Sequence, residues 1–520
     1  MDEQGAIAEL ATDAGRASVG PPRAGFASIR LRENIAAAVC DSDGGGFDLR
    51  GFLDEEDTGR LLCRWYGADA LAAMGPPDKR ALRVHIDRDI AALDSLLSEQ
   101  LDAILHHGEF KRLEAPWRGV SFLLDQVEDD DKVIVRLLST TWKELGRDFD
   151  RSSEFDQSAL FAKIYSEEYG MPGGLPYGLL LCDHFVRHRQ GGADTTDDIG
   201  ILSRLAEVAA ASFSPCVVGA APELFGVSTF ADLSHVQHID AGFRLAEYQR
   251  WRRLQEKEES RFLGVALPRI LLRGLRDGAG EEHGGFVYRE RALGIEDWLW
   301  GNAAYGFGAV VIRAFRESGW FADIRGAREG VFGAGRVEGL PAPLFSTGET
   351  AAYRRPLEVE LTDRKQKVLE ELGFVALSPC GYTKSVAFLG AQSLNVPPVA
   401  DTAESRNARL SSMLQYVLCV SRFAHYVKVI ARDRVGAFTT VAQLQKLLGD
   451  WLRGYMIGNS DASHELKARY PLSGGSVEVA ELPGKPGSMA CVIHVQPHFQ
   501  FDQIVTGIQL RTEIQPSRNI

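Results

Sequence analysis

Nowhere does the chain carry the roughly 20 consecutive apolar residues that a membrane-spanning helix needs. Its charge-free stretches, at residues 208–222, 299–312 and 385–400, are shorter and are broken by glycine or proline. That excludes membrane insertion by a helix from the sequence-based expectations. Cysteine is sparse as well: the seven (Cys40, Cys63, Cys182, Cys216, Cys380, Cys419 and Cys491) are scattered, odd in number and never spaced as C-x-x-C. Such spacing gives no disulfide framework and predicts a reducing, cytoplasmic setting. Positive charge is in deficit, with 58 Lys and Arg against 71 Asp and Glu and a formal net charge of -13. A broad nucleic-acid footprint is therefore not expected, whereas a basic partner is compatible. A secretory leader is also not expected, since Asp2, Glu3 and Glu9 stand where basic and apolar residues would be required.

Catalytic signatures are missing too. The chain has no G-x-x-x-x-G-K-[ST] phosphate loop, no H-E-x-x-H zinc helix and no G-x-S-x-G nucleophile elbow. Gly306-Phe307-Gly308 and Gly333-Ala334-Gly335 each lack the third glycine of a dinucleotide loop. The best metal candidate is Cys182, Asp183, His184 and His188, because a helix would bring the two histidines to one side. A buried strand ending at Cys182, with histidines at its solvent end, explains the same residues without a metal. The acidic run Glu128-Asp129-Asp130-Asp131 reads as a solvated turn between elements. No catalytic residue, cofactor site or metal site is nominated.

What the chain does have is length and pattern. With 520 residues, 45% hydrophobic and 25% charged, it has the composition of an ordinary globular protein of two or three domains. Residues 1–45 read as a flexible tail with a short helical candidate at 26–40, ended by Asp41-Ser42-Asp43-Gly44-Gly45-Gly46. Leu82, Ile86, Ile90, Leu93, Leu97, Leu101 and Ile104 recur at intervals of three and four and predict a long helix. A second helical segment bearing Leu113, Trp117, Val120 and Leu124 follows Gly108, suggesting a helical hairpin.

From residue 132 to about 393, strand-like and helical segments alternate. Val133-Ile134-Val135-Arg136-Leu137-Leu138, Gly178-Leu179-Leu180-Leu181-Cys182 and Cys216-Val217-Val218-Gly219-Ala220 read as buried strands, and residues 201–212 as a helix. Glycine-rich breaks at 277–285 and 326–339 read as surface loops. Prolines at 397 and 398 mark a boundary, which gives a domain over 46–395 and another over 396–520.

In the second of these, Leu410, Met413, Val417, Val420, Ala424 and Val427 define the buried face of a long helix. Another helix is expected to start at Thr440, with a capping box to Gln443. Three alternating runs close the chain: Val477-Glu478-Val479; then Cys491, Ile493, Val495, Phe499 and Phe501 on one face; then Ile504, Thr506, Ile508, Leu510, Thr512 and Ile514. The expected fold is mixed α/β (α+β): a central α/β domain, then a C-terminal domain of helices and an antiparallel β meander. Such a meander leaves an outer strand with unpaired main-chain groups, which proteins cover, blunt or pair.

Several ordered motifs over roughly residues 80–514 resemble one family. They begin with Phe110-Lys111-Arg112-Leu113-Glu114-Ala115-Pro116-Trp117-Arg118-Gly119 and Glu154-Phe155-Asp156-Gln157-Ser158. Trp300-Gly301-Asn302-Ala303-Ala304-Tyr305, Val337-Glu338-Gly339-Leu340-Pro341 and Phe388-Leu389-Gly390-Ala391-Gln392-Ser393 follow, then Ser421-Arg422-Phe423-Ala424-His425-Tyr426. They resemble the large subunit of the type VI secretion contractile sheath, the TssC/VipB family. On their own, Trp117 reads as a packing anchor and Asn302 as a residue that satisfies a turn.

The resemblance implies a cytoplasmic, non-enzymatic structural protein without cofactor. Its implied partners are a small sheath subunit, further copies of itself, an inner tube protein, a baseplate and a recycling AAA+ unfoldase. Stacked six-membered rings around the tube would store conformational energy and release it on contraction. Chain ends that exchange strands with neighbours would tether the subunits. The residues the resemblance assigns to this exchange are Cys491, Ile493, Val495, Ile504, Ile508 and Leu510. It also places an unfoldase-recognition helix at residues 26–40, with Ile29, Leu31, Ile35 and Val39, although these match the family's helix poorly. Two other readings stand beside it: a nonpolymerising paralogue that caps or regulates a sheath, and a metal-dependent hydrolase using residues 182–188.

Overall fold

A computed structural model gives the fold. It describes residues 49–68, 79–128, 132–171, 173–189, 196–278, 282–283, 285–327, 333–341, 344–346, 351–353, 355–380, 385–397, 408–409, 411–433, 441–459, 462–481, 489–498 and 508–514. The helical candidate at 26–40 with Ile29, Leu31, Ile35 and Val39 lies outside the described residues, as do Leu410, Thr440, Phe499, Phe501, Ile504 and Thr506. Two compact units emerge, one of Met1–Lys111 with Leu275–Asp297, the other of Arg112–Gly274 with Trp298–Ile520.

In the first unit, Asp57 caps helix α1 (Thr58–Tyr66) by accepting from the Gly59 N–H at 2.8 Å. Helix α2 (Lys79–Leu105) follows, and Trp65 Nε1 donates to Asp89 of α2 at 3.0 Å. Asp102 in the last turn of α2 and His106 just past its end hold the returning segment. Tyr288 Oη donates to Asp102 at 2.5 Å, and His106 Nε2 lies 3.0 Å from a Glu290 carboxylate oxygen.

The second unit contains most of helix α3 (Gly108–Leu124) and then helix α4 (Trp142–Arg151), which opens with a complete capping box between Thr141 and Glu144. Between these helices the sequence-based expectation fails. The run Val133-Ile134-Val135-Arg136-Leu137-Leu138 is not a strand: it is extended, without a ladder, and Ile134 and Leu137 are 65% and 62% exposed. Its residue types suit a pleated, half-buried surface, but among the described residues no strand pairs with it.

Strand β1 (Leu180–Val186), helix α5 (Asp198–Ser212), strand β2 (Cys216–Ala220) and strand β3 (Leu263–Leu267) come next. Helix α6 (Ala303–Ser318), strand β4 (Arg336–Val337), strand β5 (Val375–Pro379) and strand β6 (Val386–Phe388) complete a six-stranded sheet in the order β1-β2-β3-β5-β6-β4. The first three pairings are parallel and the last two antiparallel. In β2, Cys216 and Val218 enter one core with Leu202 and Leu205 of α5, while Val217 enters another with Phe307 and Val310 of α6. Burial on both faces is why β2 and β3 read as unbroken apolar runs.

The break at 326–339 is only partly a surface loop, because β4 lies within it with Val337 buried. Gly335 permits this. A Cβ there would come 2.1 Å from the Phe388 carbonyl oxygen, where the Phe388 N–H donates to Gly335 at 2.8 Å.

Helix α7 (Leu414–Asp433) and helix α8 (Val441–Arg453) precede an antiparallel meander of β7 (Leu472–Glu481), β8 (Met489–Pro497) and β9 (Ile508–Ile514), with β8 in the middle. Leu414 and Leu418 of α7 join the α6 side of the central core, while Phe423, Ala424 and Val427 join a third core with Leu444, Leu448 and Leu452 of α8. One helix thus serves two cores. The architecture is mixed α/β, as the sequence predicts.

Candidate assembly surfaces

The residues 182–188 come apart as a metal site. Beta-strand β1 runs through to Val186, so His184 lies in a strand and not on a helix. Its ring stacks on Trp142 at 4.2 Å, and the Cys182 and Cys216 sulfurs lie 3.4 Å apart as free thiols. His188 stacks on Tyr248 at 4.1 Å, and burial followed by the Arg189 charge lowers its pKa. Among the described residues, no group of three or more His, Cys, Asp or Glu is arranged to hold a metal ion.

Asp198 organises this region instead. It accepts from Trp142 Nε1 at 2.9 Å, the Arg187 N–H at 2.9 Å and Thr196 Oγ1 at 3.1 Å. Burial works to raise its pKa, but the His184 ring nitrogen 3.4 Å away and hydrogen bonds from the Arg187 N–H and Thr196 outweigh it and hold the carboxyl below its usual range. Asn302 caps α6 by accepting from the Ala304 N–H at 2.9 Å, as a turn-satisfying residue should. These are structural polar knots.

The Ser421-Arg422-Phe423-Ala424-His425-Tyr426 block forms the middle of α7. Phe423 stacks on Trp320 at 4.4 Å, and the Arg422 guanidinium sits 4.5 Å from the Tyr426 ring centre. His425 is buried with Nε2 at 3.3 Å from the Ser212 carbonyl oxygen. Burial, reinforced by the charges of Arg422 and Lys428, pulls its pKa down to about 3 and keeps it neutral. Lys428, brought down to about 8 by burial, lies 4.7 to 5.0 Å from the rings of Tyr165, Tyr169 and Phe213. The block therefore joins α7 to the rest of its unit.

In the meander, Val477 faces Ile493 and Val479 faces Cys491. Cys491, Ile493 and Val495 are 0 to 1% exposed and fill the third core, each contributing roughly 2 kcal/mol by burial. As the middle strand, β8 has both ladder sides taken. Ile508 and Leu510 lie on the outer strand β9, opposite Val495 and Ile493. Among the described residues, no strand pairs with the far side of β9.

Other apolar surface is open. On α2, Ile86, Ile90, Leu97 and Ile104 are exposed at spacings of four, seven and seven, the seam by which one helix receives another. Trp117 of α3 is 64% exposed and so is not the packing anchor expected from its sequence. Among the described residues, no helix is long and apolar enough to cross a membrane.

Joined α/β and helix-plus-meander modules with exposed apolar surface suit a protein that builds an assembly, and the comparisons specify which kind: a tail-sheath protein. Residues 87–395 match the VipB model (EvpB/VC_A0108, tail sheath N-terminal domain), and residues 403–514 match VipB_2, the tail sheath gpW/gp25-like domain. The chain belongs to the VipB/TssC family of bacterial type VI secretion sheath proteins, a structural family and not an enzymatic one. It is 34% identical over 439 residues to the type VI secretion system sheath protein TssC1 of Pseudomonas aeruginosa, covering 82% of this chain and 86% of that protein. Solved sheath tail proteins of Desulfitobacterium hafniense and Listeria innocua align at 9% and 11% identity, each covering 62% of this chain and 61% or 62% of theirs. Their TM-scores of 0.28 carry no weight in the assignment.

Proposed function

We propose that this chain is the large sheath subunit that polymerises with a small sheath subunit around an inner tube and contracts to propel it. The observation that best supports this reading is the C-terminal meander, a firmly cored sheet whose outer strand β9 has no described strand on its far side. Main-chain ladders there would tether neighbours while their bodies rotate, because β-augmentation is directional and asks little of sequence. Ile508 and Leu510 lie on that strand, and Cys491, Ile493 and Val495 supply the core that holds it in register.

Further copies of this chain, the inner tube, a baseplate and a recycling AAA+ unfoldase are the other partners, and the cytoplasm is the compartment. A tail at 1–45, a sheath domain at 46–395 and a terminal domain at 396–520 are the working divisions. The unfoldase would engage the segment bearing Ile29, Leu31, Ile35 and Val39. Deleting residues 1–40 should then preserve tubes but slow their disassembly by the unfoldase. Normal disassembly would end that assignment.

Coexpression with the encoded small sheath subunit, followed by negative-stain electron microscopy, tests the main reading. Long hollow tubes are the expected result. Discrete soluble complexes would favour a nonpolymerising regulator.

A further inference from the structure

Helix α2 carries an apolar stripe and a division of charge along the same axis. Ile86, Ile90, Leu97 and Ile104 lie within about 40° of one another around the helix, over a length of about 27 Å, and all four are exposed. Proteins ordinarily cover such a stripe. Residues 79–88 hold Lys79, Arg80, Arg83 and Arg88 against Asp87 alone, whereas residues 94–105 hold Asp94, Glu99 and Asp102 with no Lys or Arg. One end of α2 is basic and the other acidic.

The segment 26–40, outside the described residues, has the matching pattern in its sequence. On a helix, Ile29, Ile35, Ala36 and Val39 fall within about 120° of one another, and residues 26–40 span about 22 Å against about 21 Å from Ile90 to Ile104. Arg32 falls inside that face, so a surface that covers it has to supply a carboxylate. Asp41 and Asp43 follow the segment directly. A helix this short is marginal in water without a surface to pack on.

Where the described chain begins brings the two together. The Phe52 ring lies 5.5 Å from Trp65 of α1, and Trp65 Nε1 donates to Asp89 of α2 at 3.0 Å. Asp89 is three residues on from Ile86, so α1 is moored beside the stripe. Residues 41–48 reach about 27 Å at most, enough to set residue 40 beside Ile90.

We propose that residues 26–40 dock as a helix along the exposed stripe of their own α2, antiparallel to it. That direction sets Arg30 and Arg32 beside Asp94 and Glu99, and Asp41 and Asp43 beside Arg80 and Arg83. The parallel direction would set Asp41 and Asp43 against the acidic end of α2. The stripe is thus closed by its own chain before any partner is added, so the inference stands apart from polymerisation.

Hydrogen–deuterium exchange on the full chain, without its small sheath subunit, tests the docking. Amides of residues 29–39 should exchange at least tenfold more slowly than in a free peptide of residues 26–40. Equal rates would overturn the inference. Protection lost on dilution, as dimers seen by sedimentation dissociate, would assign the stripe to a second copy and also overturn it. Leu97→Asp changes an exposed side chain, so it should remove the protection of residues 29–39 while exchange in β2 and β3 stays as in the parent. Protection retained in that variant would overturn the docking. Arg32→Asp should cut the protection at least fivefold, and Asp94→Arg added to it should restore the parent rate. Failure to restore it would overturn the antiparallel placement. None of these readings requires tubes, so a failed coexpression would remove the proposed function and leave this docking in place.

Discussion

In the six-stranded sheet, β2 and β3 are buried at every residue, whereas β8 of the terminal sheet buries alternate residues from Cys491 to Pro497. The first arrangement has cores on both faces, with α5 on one side and α6 on the other. The second has a core on one face, supplied by α7 and α8. A sheet sealed on both faces exposes itself to partners only along its edges, whereas a one-faced meander has an edge and an open face to use. On the proposed function, stability falls mainly to the first and association to the second, and the variants below separate them.

The largest loss should come from the sealed region. Phe374 is fully buried and lies 5.0 Å from the Phe225 ring, 5.6 Å from Phe243 and 6.0 Å from Trp251. Phe374→Ala removes contacts that close packing cannot replace and should cost about 3–5 kcal/mol in urea unfolding. A cost below about 1 kcal/mol would mean that this core is not sealed.

A pair of proline variants separates the two strands of the meander. Ile493→Pro strikes the middle strand, removing a ladder donor and a fully buried side chain, and should destabilise the terminal module by about 3 kcal/mol or more. Ile508→Pro strikes the outer strand and should cost less than about 1 kcal/mol in the isolated chain while abolishing long tubes. Normal tube length with Ile508→Pro, measured by electron microscopy, would remove β9 from the tether. Equal destabilisation by both would show that the middle and outer strands are not distinct.

The same contrast explains what was legible in the sequence. The strand at Cys216-Val217-Val218 could be read because its apolar run is satisfied inside this chain, with Val217 on one face and Cys216 and Val218 on the other. Val133-Ile134-Val135 reads the same way and is no strand. Pattern encodes the surface a segment fits, not which chain supplies it. Short β4 was hidden among glycines, because a strand of two residues has no period to detect. Of the candidate site, the meander and its alternation were legible, but which strand lies in the middle depends on pairing order. The exposure of Trp117 and of the α2 seam was not legible, since spacing gives a helical face without giving its partner.

Helix α7 spans both regimes, and its buried histidine should make their junction acid-sensitive. His425 is held near about 3 by burial and by the Arg422 and Lys428 charges, while an unfolded histidine titrates near 6.5. Between those values the unfolded chain binds the extra proton, so stability falls as pH drops below about 6.5 and continues to fall toward 3. The slope is up to about 1.4 kcal/mol per pH unit. His425→Gln should flatten the difference in urea midpoint between pH 6.5 and 5. An unchanged difference would place the acid sensitivity elsewhere.

Lys428 gives the smallest effect and the opposite end of the pH scale. Burial lowers its pKa from 10.5 to about 8, and the rings of Tyr165, Tyr169 and Phe213 accept its charge below that value. Lys428→Met removes the cost of burying the ammonium together with its ring contacts, so stability at pH 7 should change by less than about 1 kcal/mol. Above pH 8 the folded parent sheds its proton while the unfolded chain keeps it until about 10.5, so the unfolded state binds more protons and the parent gains stability relative to the variant. Urea midpoints at pH 7 and 10 read this crossover. Parallel behaviour of the two proteins would mean that Lys428 stays charged at the seam, with its ammonium still solvated, and that α7 joins the two cores through Phe423 and Leu418 without help from the ring cage.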